Sequence, residues 1–250
     1  MDLKNKRVVI TGAGSGIGKE LVLALQKKEG IRILAYDLNP ESIPKAANTI
    51  PLAADVSDKK EIQKMIRTAK QKLGGIDVFF ANAGFAYYEK IRKPSWKRIQ
   101  SIYKTNVFSP IYSLLLLNQE NDSPFFFVIT ASAMSHFAIP GYALYSGTKA
   151  AVHNFAEGYR YELKPGNHLM LVYPIATRTN FFAKAGEKVR VPFPSQTPKR
   201  VAKAILFGVR WNFKRVYPSK LFSLLKFLDR FLFYPMKLYQ WVEKHELKKL

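Results

Sequence analysis

The feature that most constrains this chain is a glycine-spaced turn close to its start. Arg7-Val8-Val9-Ile10-Thr11 is a short apolar run, and Gly12-Ala13-Gly14-Ser15-Gly16-Ile17-Gly18 follows it at once. An apolar run that ends in glycine reads as a buried strand. Ile17 to Lys28 then reads as a helix, with Leu21, Leu23, Ala24 and Leu25 on its apolar side. A strand that turns through glycines straight into a helix presents unpaired N–H groups and a partial positive charge, a setting that suits phosphate. Gly12 permits the tight turn, Gly16 lets the backbone approach a pyrophosphate, and Gly18 lets helix and strand lie close. The absence of Gly-Lys-Ser/Thr excludes an NTPase loop. An acidic residue, Asp37, stands 19 positions past Gly18 and completes a dinucleotide-binding pattern.

Asp37 ends the second strand, Ile31 to Tyr36. There a carboxylate accepts hydrogen bonds from an adenosine ribose and repels a 2′-phosphate. Positions 33–39 hold no Arg or Lys, and position 15 is Ser, so NAD is expected over NADP. Asp37 is also open to a plainer role, as an N-cap for the segment after Pro40, and the two roles are compatible.

The same alternation continues along the chain. Strand-like runs fall at Pro51–Ala54, Asp77–Ala81, Phe125–Thr130 and His168–Tyr173. Helical patterns fall between them: from Asp58, an N-cap with Glu61 placed as in a capping box, to Leu73; Trp96 to Leu117, with a bend expected at Pro110; and Tyr145 to Leu163. Strands separated by helices predict a doubly wound parallel sheet of the Rossmann type, in one domain. Residues 1–197 form the expected dinucleotide-binding and catalytic unit, and residues 198–250 a basic, apolar helical extension.

Four side chains of chemical interest fall where such a sheet places its ligand, at the carboxyl ends of the strands. Ser132 follows strand five, Asn82-Ala83-Gly84 follows strand four, and Tyr145 and Lys149 stand four apart on one helix face. A nearby ammonium stabilises a phenolate, so a Tyr/Lys pair can exchange a proton with an alcohol or ketone near neutral pH. Asn106 interrupts the long helix with a residue of low helix propensity. Taken singly, each has an ordinary reading as a turn residue, a surface pair or a solvated helix position.

In this order and spacing these residues resemble the short-chain dehydrogenase/reductase family, over about residues 5–180. The resemblance implies that Tyr145 is the general acid/base and that Lys149 lowers its pKa and holds the nicotinamide ribose hydroxyls. It implies that Ser132 hydrogen-bonds the substrate oxygen and that Asn106 positions a water in a proton relay. Ser15 and Ile17 join the glycines around the phosphates. Asp55 with Val56 matches the adenine contact, and Asn82, Ala83 and Gly84 match the segment beside the adenosine. Pro174, Thr177 and Thr179 match the segment that meets the nicotinamide carboxamide. A homodimer or homotetramer through helices 96–117 and 145–163 is likewise implied. One position departs from the family, which usually has Pro-Gly where this chain has Pro174-Ile175. Ile does not take positive φ cheaply, so the backbone there is expected to differ.

Composition narrows the remaining classes. The 250 residues contain no cysteine and four histidines, which leaves no thiol chemistry and no convincing metal centre. No secretory pattern opens the chain and no apolar run nears the ~18 residues of a membrane span, so it reads as cytoplasmic. The net charge is +22. Residues 198–250 carry 13 Lys+Arg against 3 Asp+Glu, which concentrates positive charge in the tail. No recognition helix or basic-aromatic platform accompanies it, so nucleic acid is not expected.

The segment Asn180–Thr197, with Phe181, Phe182 and Phe193, is an apolar substrate lid by the same resemblance. Thr197 opens a helix to about Trp211, and Arg215-Val216-Tyr217 is an edge strand. Leu221 to Tyr234 is a broadly apolar helix with a basic stripe at Lys220, Ser223, Lys226 and Arg230, broken by Pro235. This tail either lies on an anionic membrane surface, as a peripheral contact, or packs on its own domain or a second subunit. The expected activity is hydride transfer between a nicotinamide and a hydrophobic secondary alcohol or ketone. The competing reading is a cofactor-binding regulatory or scaffold protein that has lost turnover. His136, between Ser132 and Tyr145, reads either as a substrate-loop group or as a partly exposed loop histidine, and His153 as a helix-surface or interface residue.

Overall fold

A computed structural model describes residues 1–179, 181, 193–232, 238 and 240. The elements are β1 (Arg7–Thr11), α1 (Gly16–Leu25), β2 (Arg32–Asp37), β3 (Thr49–Ala53), α2 (Lys59–Leu73), β4 (Val78–Ala81), α3 (Trp96–Tyr103), α4 (Ser109–Glu120), β5 (Phe126–Thr130), α5 (Ala143–Tyr159), β6 (His168–Val172), α6 (Pro198–Arg210), β7 (Arg215–Val216) and α7 (Lys220–Leu232). The strands form one sheet in the order β3-β2-β1-β4-β5-β6-β7, and every pairing is parallel. β1 and β4 are sheet neighbours at the point where the winding reverses, and the crevice above their carboxyl ends is where such sheets place ligands.

Period-two alternation divides each strand between two cores. Val9, Leu34, Phe79, Phe127 and Leu171 face α2, α4 and α5. Val8, Ile10, Ile33, Phe80, Val128 and Met170 face α1 and α6. Both faces are covered, which accounts for strands apolar at nearly every position. Residues after 197 complete this architecture: α6 buries Val201, Ile205 and Val209 in the second core, and β7 pairs with β6.

Caps set several helix ends as the side-chain chemistry dictates. Asp58 accepts from Lys60 N–H, Ser95 from Arg98 N–H and Thr197 from Arg200 N–H. The long helix from Trp96 is interrupted, but not at Pro110. A π-helical turn at Lys104–Phe108 separates α3 from α4, and Pro110, two residues past it, donates no N–H back to that turn. The wide turn carries Asn106, which is 1% exposed and so not a solvated position. Helix α5 begins two residues earlier and ends four residues earlier than its pattern suggests.

No described helix is long and apolar enough to cross a membrane. α7 buries Phe222 and turns Lys226 inward, where its ammonium donates to the Tyr217 hydroxyl at 2.6 Å. Lys226 therefore leaves the basic stripe expected along this helix. The side chain of Arg230, the break at Pro235 and the residues around them lie outside what is described. So does most of the expected lid, Phe182 included.

Candidate active site

The phosphate loop is built as its glycines require. Gly16 sits at φ +52°, a left-handed conformation that disfavours side chains. A Cβ on Gly18 would lie 2.0 Å from the Gly12 carbonyl oxygen, so only glycine allows α1 to start this close to β1. Thr11 ties the loop to the neighbouring strand: its hydroxyl accepts from the N–H of Asn82 at 3.1 Å and of Ala83 at 3.2 Å. The Asn82 amide donates to Gly12 O at 3.2 Å and accepts from the Thr130 hydroxyl at 3.1 Å. β1, β4 and β5 are thus braced across the crevice by one side chain.

One cleft brings together Gly12, Ser15, Gly16, Ile17, Asn82, Ala83, Gly84, Ser132, Tyr145, Lys149, Pro174, Thr177 and Thr179. Five predicted residues stand outside its lining. Gly18 lies behind the loop. Asp37 lies beside it, with its carboxylate accepting from Gly14 N–H at 2.8 Å. Asp37 does not cap the segment after Pro40; Asn39 does, accepting from Glu41 N–H. Asp55 is exposed and accepts from Ser57 N–H, and Val56 beside it is buried. Asn106 is spent on structure. Its amide pairs with both the N–H and the C=O of Phe85, at 3.1 and 2.9 Å, and donates to Thr148 Oγ1 at 3.2 Å. It reaches the site indirectly, because it abuts Gly84.

Ser132, Tyr145 and Lys149 are all buried. Burial pushes the Tyr145 phenol up to about 12, against the opposing effect of a hydrogen bond with Ser132. Burial also lowers Lys149 to about 8. Lys149 stands near Tyr145 but is bonded elsewhere. The ammonium is 5.6 Å from the centre of the tyrosine ring and donates to Thr130 O at 2.7 Å. Tyr145 therefore holds its proton at neutral pH, which equips it as a donor.

Phe85, Met134 and Phe181 also line the cleft and were not singled out by motif, except Phe181 as part of the lid. The Phe181 ring meets Tyr145 edge-on at 5.5 Å. Thr11, Thr130 and Thr148 were missed as well. Only their places flanking the glycine turn, Ser132 and Lys149 hinted at them. Ile175 keeps out of the left-handed region: among described non-glycine residues only Asn5 and Asn212 have positive φ. The backbone there is not one that a glycine is needed for. His136 and His153 face a second cluster, away from the cleft.

Comparison with known proteins agrees with this geometry. The chain is 28% identical over 220 residues to an uncharacterized oxidoreductase of Staphylococcus aureus (strain MW2), covering 83% of this chain and 92% of that protein. It is 27% identical over 232 residues to an uncharacterized oxidoreductase of Listeria monocytogenes, covering 84% and 92%. Its fold is similar to that of a short chain dehydrogenase from Burkholderia cenocepacia solved with NADP, at a TM-score of 0.82 and 18% identity over 96% of this chain and 99% of that one. A short chain dehydrogenase/reductase from Burkholderia phymatum solved with NAD gives 0.79 and 17% over 94% and 98%. The family model for short chain dehydrogenases matches residues 6–190, and on that match, joined to the site above, the chain belongs to the short-chain dehydrogenase family of oxidoreductases.

Proposed function

We propose that this oxidoreductase interconverts a secondary alcohol and a ketone, with NAD as its preferred cofactor. The observation that carries the reading is Tyr145, buried against Ser132 in the same cleft as the glycine loop. The residues present fit a dinucleotide. The cleft runs from the N-terminus of α1 to Pro174 and Thr179, and its floor at Gly12 and Gly16 is bare backbone. Gly16, Ser15 and Ile17 would hold the phosphates, Asp37 the adenosine ribose, Asp55 and Val56 the adenine, and Lys149 the second ribose. When bound, the nicotinamide supplies or accepts the hydride. Ser132 orients the substrate oxygen, and Tyr145 gives it a proton on reduction; oxidation is the reverse step, in which the Tyr145 phenolate takes the proton back. Asn106 fixes the Phe85 backbone beside Gly84 and keeps that wall in place.

Asp37 supports NAD because its carboxylate lies against the loop at Gly14, where a 2′-phosphate would meet like charge. Phe85, Met134 and Phe181 support a hydrophobic substrate, since they wall the cleft beside Tyr145. The test is a screen of purified protein with NAD and NADP against hydrophobic alcohols and ketones, read by nicotinamide absorbance. Turnover is expected with NAD and an apolar substrate. A cofactor that binds with no turnover on any member of the panel would favour the regulatory reading.

A second proposal is peripheral contact with an anionic membrane, carried by the outer face of α7, where Leu221 and Leu224 are 49% and 54% exposed beside an exposed Lys220. Binding to anionic vesicles should weaken with salt and be lost in Leu224→Glu. Full-length protein that ignores such vesicles at low salt would remove this proposal. A homodimer or homotetramer through α3–α4 and α5 is proposed on family grounds, and sedimentation would test it.

A further inference from the structure

The inner face of α7 rests on the loop that carries the catalytic serine. Phe222, 4% exposed, shares a cluster with buried Ala133 and with Phe137, Ile175, Tyr217 and Leu225. Two of these reach the cleft: Ala133 follows Ser132, and Ile175 itself lines the cleft beside Pro174. The two segments are also bonded to each other, with Ala133 N–H donating to Pro174 O at 2.8 Å.

A polar set reinforces the apolar one. Lys226 donates to the Tyr217 hydroxyl, which pairs with His136 Nε2 at 3.3 Å. The Tyr217 ring stacks on Tyr173 at 4.8 Å, and the Tyr173 hydroxyl meets His153 Nδ1 at 2.8 Å. His136 closes the turn that Ser132 opens, since its N–H donates to Ala133 O at 3.0 Å. Burial keeps His136 neutral, with its pKa lowered to about 3, so these contacts persist across the working pH range. A half-buried ammonium on a helix whose outer face is apolar needs a specific partner, and Tyr217 provides it.

Ser132 opens the turn against which this arrangement packs. Its hydroxyl oxygen accepts from Met134 N–H at 3.1 Å, within the 3-10 turn Ala133–Ser135 that α7 covers. We infer that α7 is a positioning element of the active site, and that Phe222 and Lys226 are positioning residues that hold the Ser132 turn and the Pro174–Ile175 wall in register. Neither residue lines the cleft; they act through Ser132 and Pro174. The kinetic consequence rests on the oxidoreductase reading above, whereas the structural one does not.

The test uses full-length protein with Phe222→Ala, Phe222→Leu and Lys226→Met. Amide hydrogen exchange of Phe222→Ala should quicken about tenfold or more at Ala133, Ser135 and His136, and stay unchanged in β1 to β4. Lys226→Met should quicken His136 by less. With a substrate from the screen, kcat of Phe222→Ala should fall about tenfold or more, because small displacements of a reacting group are costly. Its Kd for NAD should stay within about twofold, and Phe222→Leu should restore most of the rate. Unchanged exchange at 133–136, or an unchanged kcat in a wild type that turns over, overturns the inference. So does faster exchange throughout the sheet with NAD affinity falling alongside, which would make α7 a general stabiliser. A wild type with no turnover defeats the oxidoreductase reading instead, and the exchange pattern alone then decides the role of α7.

Discussion

Replacing Lys149 with Met should stabilise the protein at neutral pH while disabling it. Lys149 is 5% exposed, and its ammonium donates to Thr130 O. Burial lowers its pKa from the ordinary 10.5 to about 8. Folding at pH 7 therefore buries a charge that stays on the lysine, at a cost of about 3 kcal/mol. Met fills similar volume without the charge but leaves Thr130 O unpaired, which costs about 1–2 kcal/mol. The variant should thus gain about 1–2 kcal/mol at pH 7. The pH dependence has a definite sign. Between pH 8 and 10.5 the unfolded chain binds more protons at this lysine than the folded one, so wild type gains stability as pH rises. The advantage of Met should shrink across that window and reverse above about pH 9–10. Urea denaturation of both proteins at a series of pH values measures it. A variant less stable at pH 7, or a difference that stays flat with pH, would refute the reasoning.

Other predictions follow from the same geometry. Asp37→Ala should weaken NAD and narrow the gap to NADP, measured by cofactor titration; a wild type that binds NADP more tightly would show that Asp37 does not select. Asn106→Leu leaves the N–H and C=O of Phe85 without partners, so it should cost about 2–4 kcal/mol by denaturant titration and lower turnover more than cofactor affinity. A loss within about 0.5 kcal/mol would mean that water satisfies Phe85 instead.

Much of this architecture was legible in the sequence, for reasons visible in particular residues. The glycine turn was readable because Gly16 and Gly18 occupy places that exclude side chains, one by φ and one by contact with Gly12 O. The parallel sheet followed from apolar runs separated by helical ones, whereas the order of its strands left no mark in the sequence. Asn106 was noticed because its propensity is wrong for a helix, but its role was not, since the partners, Phe85 and Thr148, are 21 and 42 positions away. The interruption beside it was assigned to Pro110 because proline is the visible breaker, whereas a π turn leaves no such mark. Spacing shows that Lys149 is near Tyr145, but not that its ammonium donates to Thr130 O. The inward turn of Lys226 was equally hidden: periodicity placed it on a polar stripe, and only Tyr217, nine positions back, explains where it goes.

The central claim is that Tyr145 handles the proton in a cleft that binds a dinucleotide. The most direct measurement compares wild type with Tyr145→Phe for NAD affinity and for turnover on the best substrate of the screen. Phe keeps the ring and its packing but lacks the hydroxyl. NAD affinity should be unchanged and turnover should fall by ~100-fold or more. Near-normal turnover in Tyr145→Phe would contradict the account.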